Sequence, residues 1–262
     1  MNTSLSFKVG ITLLSIILAF ALLGPFFSDN TYYTTNLSLK NLPPSMEHWF
    51  GTDDLGRDLF VRTCYGARIS LFIGVAAAII DLFIGVFWGG FSALYGGKID
   101  ECMMRFADVC YSIPQLLVVI LLMVVMGSGL GTMVIALTLT GWITMARVVR
   151  AQILQLKQQE YVLAARVLGS GNKHILVRHL LPNALPPIIC TLTLTIPSAI
   201  FSEAFLSFLG LGVQAPIASW GAMASEGLTA LEYFPWRALF PLGFITVTML
   251  AFNLLADSMQ GE

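Results

Sequence analysis

An unbroken apolar run such as residues 9–27 permits few folds, because about 20 such residues form a helix that crosses a ~30 Å hydrocarbon core. The chain repeats the pattern at about 69–95, 113–149, 184–206 and 238–256. Lipid offers no partner for a backbone N–H or C=O, so runs of this length must satisfy themselves as helices. Composition agrees with this. Hydrophobic residues make up 56% and charged residues 11% of the chain, and mean hydropathy is +0.80, whereas soluble domains carry about 25% charged residues. The expected fold class is an all-α integral membrane protein with about six transmembrane helices.

The apolar stretch 113–149 is too long for one span, and Gly127, Gly129 and Gly131 divide it into expected spans at about 113–127 and 131–149. Near the N-terminus, Ala19-Phe20-Ala21 has the small-x-small form of a signal cleavage site. Leu22, Leu23, Phe26 and Phe27 continue the apolar run beyond it, which favours an uncleaved anchor. The chain therefore divides into an anchor with a long extracytoplasmic loop (1–68), a transmembrane domain (69–257) with a polar loop at 158–183, and a tail (258–262). Residues 96–112 read as a polar connection, Pro197 as a kink, and Trp220, Tyr233 and Trp236 as membrane-interface aromatics.

Lys and Arg are concentrated in loops that share a side if the N-terminus is cytoplasmic, so both termini are expected there, with Cys64 outside and Cys102 inside. The formal charge is −1 and no Lys/Arg block occurs, which excludes the electrostatic footprint of a nucleic-acid binder. Cys64, Cys102, Cys110 and Cys190 fall at different depths or compartments and make neither a disulfide framework nor a metal site. The sequence has no H-E-x-x-H, G-x-S-x-G or paired intramembrane aspartate motif for an intramembrane hydrolase. Gly169-Ser170-Gly171-Asn172-Lys173 lacks phosphate-loop spacing, so neither ATP nor any cofactor is expected in this chain.

The polar centre holds good helix formers at 160–168, then Gly169 and Gly171, then a second helical segment that Pro182 is expected to limit: a helix-turn-helix. Glu160 and Leu163 lie one turn apart on a shared face, and the small Ala164 and Ala165 let another surface approach closely. A passive channel has no use for such a loop. Within the membrane, Asp81 and Glu203 must each face protein or water, because an ionised side chain there costs at least ~2.5 kcal/mol. Gly85 and Gly89 have the spacing of a close helix contact.

Ala164-Ala165, three residues, Gly169, nine residues, and then His179-Leu180-Leu181-Pro182 resembles the E-A-A-x3-G-x9-I-x-L-P motif of ABC importer permeases. Leu163 replaces the motif's Glu and His179 its Ile; Glu160, one turn earlier, offers a substitute charge. His48-Trp49-Phe50-Gly51-Thr52-Asp53-Asp54-Leu55-Gly56-Arg57-Asp58, Ser202 to Gly212 and Ala218-Ser219-Trp220-Gly221 are similar to the dipeptide, oligopeptide and nickel permeases, and to their C-type subunit in particular. The resemblance covers about 48–257. It implies a multi-pass permease of the bacterial inner membrane, working with a homologous second permease, cytoplasmic ATP-binding subunits, an extracytoplasmic substrate-binding protein and membrane lipid. It also implies that Glu160, Leu163, Ala164, Ala165, Gly169, His179, Leu181 and Pro182 form the ATPase-docking surface, with Glu203 beside the translocation path or its gate.

Overall fold

The computed structural model describes residues 5–214 and 216–260, and among them there is no β-strand, only one isolated bridge between Thr52 and Asp58. The helices are α1 (Leu5–Leu23), α2 (Leu59–Tyr95), α3 (Gly97–Ser112), α4 (Gln115–Met126), α5 (Leu130–Leu156), α6 (Glu160–Val167), α7 (Asn172–Ile175), α8 (Leu181–Phe208), α9 (Trp220–Leu228) and α10 (Trp236–Gln260). Five stretches of helix are long and apolar enough to span a membrane, and the bent pair α3–α4 makes six if it counts as one broken span. Long α2 forms the spine, with α5 and α8 packed against it and α1 and α10 paired alongside.

The Gly85/Gly89 contact lies between α2 and α5. A Cβ at Gly89 would sit 2.2 Å from the Ala146 carbonyl oxygen, and one at Gly85 would sit 2.5 Å from Met145 Cβ. The two backbones meet because neither position has a side chain.

Helix α2 begins ten residues before the apolar run that announces it. Asp58 caps it, its Oδ1 accepting from the Val61 N–H at 2.9 Å. The polar residues that follow are neutralised inside the protein: Arg62 reaches Glu226, and Arg68 donates to the Ala21 and Leu22 carbonyls at 2.7 and 3.1 Å, capping the end of α1. Within residues 96–112, Gly97–Ser112 form the amphipathic helix α3 rather than an irregular connection, with Lys98, Glu101, Arg105 and Asp108 on its exposed side. Asp100 turns inward, hydrogen-bonded by Ser92 and held in a fork by Arg150 Nε and Nη2 at 2.6 and 2.5 Å. At Pro114 the chain turns by 76° into α4, whose 12 residues extend only about 18 Å.

Pro182 does not end the second half of the polar loop. Residues Asn172–Phe208 run as one continuous helical stretch. A π-turn at Leu176–Leu180, closed by the Leu181 N–H on the Leu176 carbonyl, opens the backbone just where Pro182 has no proton to give. Asn183 Nδ2 then donates to the His179 carbonyl at 2.6 Å. α8 passes Pro186, Pro187 and Pro197 unbroken.

Trp220 is fully buried rather than interfacial. It starts α9 among α2, α8 and α10, its Nε1 donating to the Thr63 carbonyl at 3.0 Å and its N–H to Ser70 Oγ at 3.1 Å. None of the four cysteines forms a disulfide among the described residues, and Cys64 has no exposed surface, so it cannot report sidedness to a surface reagent.

Candidate coupling loop and buried polar centres

Helix α6 carries the loop's sequence signature and ends in a paired-bond glycine cap. The Ser170 N–H reaches the Ala165 carbonyl at 3.0 Å, the Gly169 N–H reaches Arg166 at 2.9 Å, and Gly169 adopts φ +86°. Only glycine takes that backbone geometry without strain. The helix then divides its residues by period. Val162 and Ala165 point inward, in a cluster with Ala93 of α2, Val149 and Ile153 of α5, and Leu180 and Ala184 around the π-turn. Glu160, Leu163, Ala164 and Val167, at i, i+3, i+4 and i+7, face outward.

The two alanines of the motif thus have different tasks: Ala164 lies on the outward face and Ala165 at the root. Past the outward face, Val167 and Leu168 are 87% and 85% exposed, at the end of a helix outside the long spans. Glu160 has no ion pair among the described residues. His179 is half-buried, its ring 5.9 Å from that of His174 and 6.5 Å from Tyr161; Leu181 packs on the inward cluster and Pro182 is exposed. At the loop's root, Lys157 Nζ donates to the Ala93 and Leu94 carbonyls at 2.8 and 3.1 Å, closing the C-terminal end of α2. Burial, and after it the Arg166 charge, lowers this ammonium from the ordinary lysine value.

Toward the opposite end of α2, Glu203 is wholly buried. Its Oε1 accepts from Ser207 and Ser219 at 2.9 and 2.7 Å, and its Oε2 from Ser70 at 3.2 Å. One carboxyl group thereby joins α8, α2 and the start of α9. A glycine at 221 is needed beside it, because a Cβ there would come within 2.5 Å of Ala204 Cα.

Above this centre, the loop after α1 folds over the helix ends around a second polar knot. Asp53 receives Arg57 Nε at 2.6 Å, and Glu226 receives Arg57 and Arg62 at 3.4 and 3.2 Å. His48 Nδ1 lies 2.8 Å from the capping Asp58, and Arg237 joins α10 to Asp54 at 3.1 Å. His48, Asp53, Asp54, Arg57 and Asp58 of this knot stand in the 48–58 segment and Arg62 just after it, but the partners Glu226 and Arg237 lie over 160 residues away in sequence, and local pattern does not reveal them.

Asp81 has no such partner. It lies in mid-α2 beside a groove bounded by α4, α5 and α8, into which α8 turns Thr191, Thr195 and Ser198. Their spacing of four and three residues is visible in the sequence and is the signal that would have located the groove. No three His, Cys, Asp or Glu side chains gather into a metal site among the described residues.

A family profile described as "Binding-protein-dependent transport system inner membrane component" matches residues 81–261. The chain is 59% identical to the oligopeptide transport system permease protein OppC of Bacillus subtilis (strain 168), over 96% of this chain and 83% of that protein. It is 56% identical to the dipeptide transport system permease protein DppC of the same organism, over 96% and 79%, and 42% identical to OppC of Escherichia coli (strain K12), over 94% and 82%. Among solved structures, an inward-facing MetNI methionine ABC transporter superposes with a TM-score of 0.61 at 18% identity, over 73% of this chain and 91% of that one. An amino acid ABC transporter gives a TM-score of 0.58 at 19% identity, over 75% and 91%. These structures share the fold. With its matched profile and its close relatives along nearly the whole length, the chain belongs to the family of inner membrane components of binding-protein-dependent transport systems.

Proposed function

We propose that this chain is the C-type permease of an ATP-driven peptide importer. It pairs with a homologous second permease to enclose the pathway, accepts solute from an extracytoplasmic binding protein, and is driven by cytoplasmic ATP-binding subunits that dock on α6. Relatives at 59% and 56% identity bear oligopeptide and dipeptide permease names, which supports peptides as the cargo. The observation that carries the docking assignment is the division of α6: an outward face of Glu160, Leu163 and Ala164 ending in exposed Val167 and Leu168, and an inward face rooted against α2, α5 and α8. A partner gripping the outward face moves the rooted helices with it, and different contacts in the ATP-bound and ATP-free states supply the coupling. Gly169, His179, Leu181 and Pro182 complete the docking surface in this reading. The same reading puts both termini in the cytoplasm and makes Glu203 the clamp that keeps α9 on α2 and α8 beside the path.

Ala164→Asp tests it. The substitution adds bulk and charge to the outward face without entering the buried cluster, so the purified permease pair should stay intact while ATPase co-purification and ATP-driven uptake fall at least tenfold. Normal uptake in that variant removes the docking assignment.

A further inference from the structure

The groove beside Asp81 has a volume of about 410 Å³. Asp81 is 3% exposed, its Oδ1 has no hydrogen-bond partner, and no ion pair involves it among the described residues. Room for the carboxylate comes from α5: a Cβ at Gly141 would lie 2.2 Å from Asp81 Oδ2. Across the groove, the Thr191, Thr195 and Ser198 hydroxyls donate to the Pro187, Thr191 and Leu194 carbonyls at 2.8, 2.9 and 3.0 Å. With their protons committed to the helix, these oxygens face the groove as acceptors. Gln115 supplies the amide, and no Lys or Arg lines the space. By contrast, the larger groove of about 660 Å³ between α2 and α8 is walled mainly by hydrocarbon such as Phe83 and Phe87, with Lys173 its one charged residue.

A surface of acceptors around one unpaired carboxylate is complementary to a positive group rich in N–H donors. We propose that Asp81 and the α8 hydroxyl stripe form a subsite for an alkylammonium group, the protonated amine of a solute passing along this chain's wall of the pathway. The inference rests on the permease reading for its solute, while the groove's charge preference is measurable without one. The other source of an alkylammonium is a lysine of the second permease, and the experiment separates the two.

The complete importer, with Cys64, Cys102, Cys110 and Cys190 replaced, receives Ser198→Cys. The thiol is labelled with methanethiosulfonates of equal size, one carrying trimethylammonium and one sulfonate. The cationic reagent should react preferentially, and Asp81→Asn should lower that preference roughly tenfold, as expected for removing one nearby charge from a partly screened site. Asp81→Glu should retain it. Uptake of trialanine, driven by ATP and presented by the binding protein, should fall at least fivefold in Asp81→Asn and recover in Asp81→Glu.

An unchanged labelling preference overturns the subsite, as does a Ser198→Cys thiol that reacts in neither the resting nor the ATP-bound complex. Loss of the second permease from the Asp81→Asn complex, with retention in Asp81→Glu, overturns it in favour of an ion pair between subunits. Should Asp81→Asn not fold, raising salt on the Ser198→Cys parent must shrink the cationic preference, and a salt-independent ratio refutes the subsite. If the parent shows the preference but no ATP-driven uptake of any peptide, the permease reading fails and the groove's charge stands.

Discussion

Replacing Glu203 by Ala removes the acceptor of three hydroxyls at once. Two of them have an escape. Ser70 and Ser207 lie on helices and can turn to the carbonyl four residues earlier, as Thr63, Thr195 and Ser198 already do. Ser219 cannot, because it is an N-cap with extended φ −116° and ψ 159°, and it stays buried with an unsatisfied proton. One orphaned buried donor, with the other two hydroxyls re-bonded to their own helices, places Glu203→Ala roughly 1–3 kcal/mol below wild type. Glu203→Gln keeps an amide oxygen for Ser207 and Ser219 and gives up only the bond from Ser70, which has the helix escape, so its cost stays below about 1 kcal/mol. Thermal unfolding of the purified permease pair, followed by size-exclusion recovery after heating, should therefore rank wild type above Gln and Gln well above Ala. Uptake should follow the surviving folded fraction. Equal melting of all three proteins refutes the clamp, as does an Ala variant that is stable yet fails to transport, which would move Glu203 from packing into passage itself.

Gly89→Ala should destabilise the pair by roughly 1–3 kcal/mol, because its Cβ meets the Ala146 backbone oxygen, which cannot move aside cheaply. Gly243→Ala, mid-α10 with open space around it, should instead gain up to about 1 kcal/mol in the same melting assay; a reversed order refutes the close α2–α5 contact. Asp100→Asn should loosen α3 by about 1–2 kcal/mol, read as faster proteolysis between α3 and α4, since the bidentate Arg150 fork is partly exposed. An impermeant maleimide should label exposed Cys102 only after the cells are permeabilised; labelling of intact cells would invert the proposed topology.

The spans were legible because apolar length is a one-dimensional signal, and the close α2–α5 contact because two glycines four apart mark one helix face. The glycine cap of α6 was equally plain, since Gly169 follows a helix-forming run directly. What escaped the reading was polarity satisfied at long range. Arg62 and Arg68 argued for a loop until Glu226 and the end of α1 took them up, and the charges of α3 argued for an irregular segment until Arg150 took Asp100. Pro182 read as a stop because a π-turn, which leaves no compositional mark, absorbs it. At the candidate sites, the outward face of α6 followed from period, whereas the inward rooting of Ala165 depends on α2 and α5, far off in sequence. The hydroxyl stripe of α8 was present in the spacing but carried no meaning without Asp81 opposite it.

The unbroken stretch Asn172–Phe208 gives the chain a rod of 37 residues, about 55 Å from end to end. Its first turn adjoins α6, its middle presents the hydroxyl stripe, and its last turns hold Glu203. A tilt of only about 5° around the midpoint would swing each end by about 2.4 Å in opposite directions, given that length. Small strokes at one face of the bilayer thus become comparable, reversed strokes at the other, with the π-turn and Pro186, Pro187 and Pro197 the places along the shaft where the motion can be lost as bending.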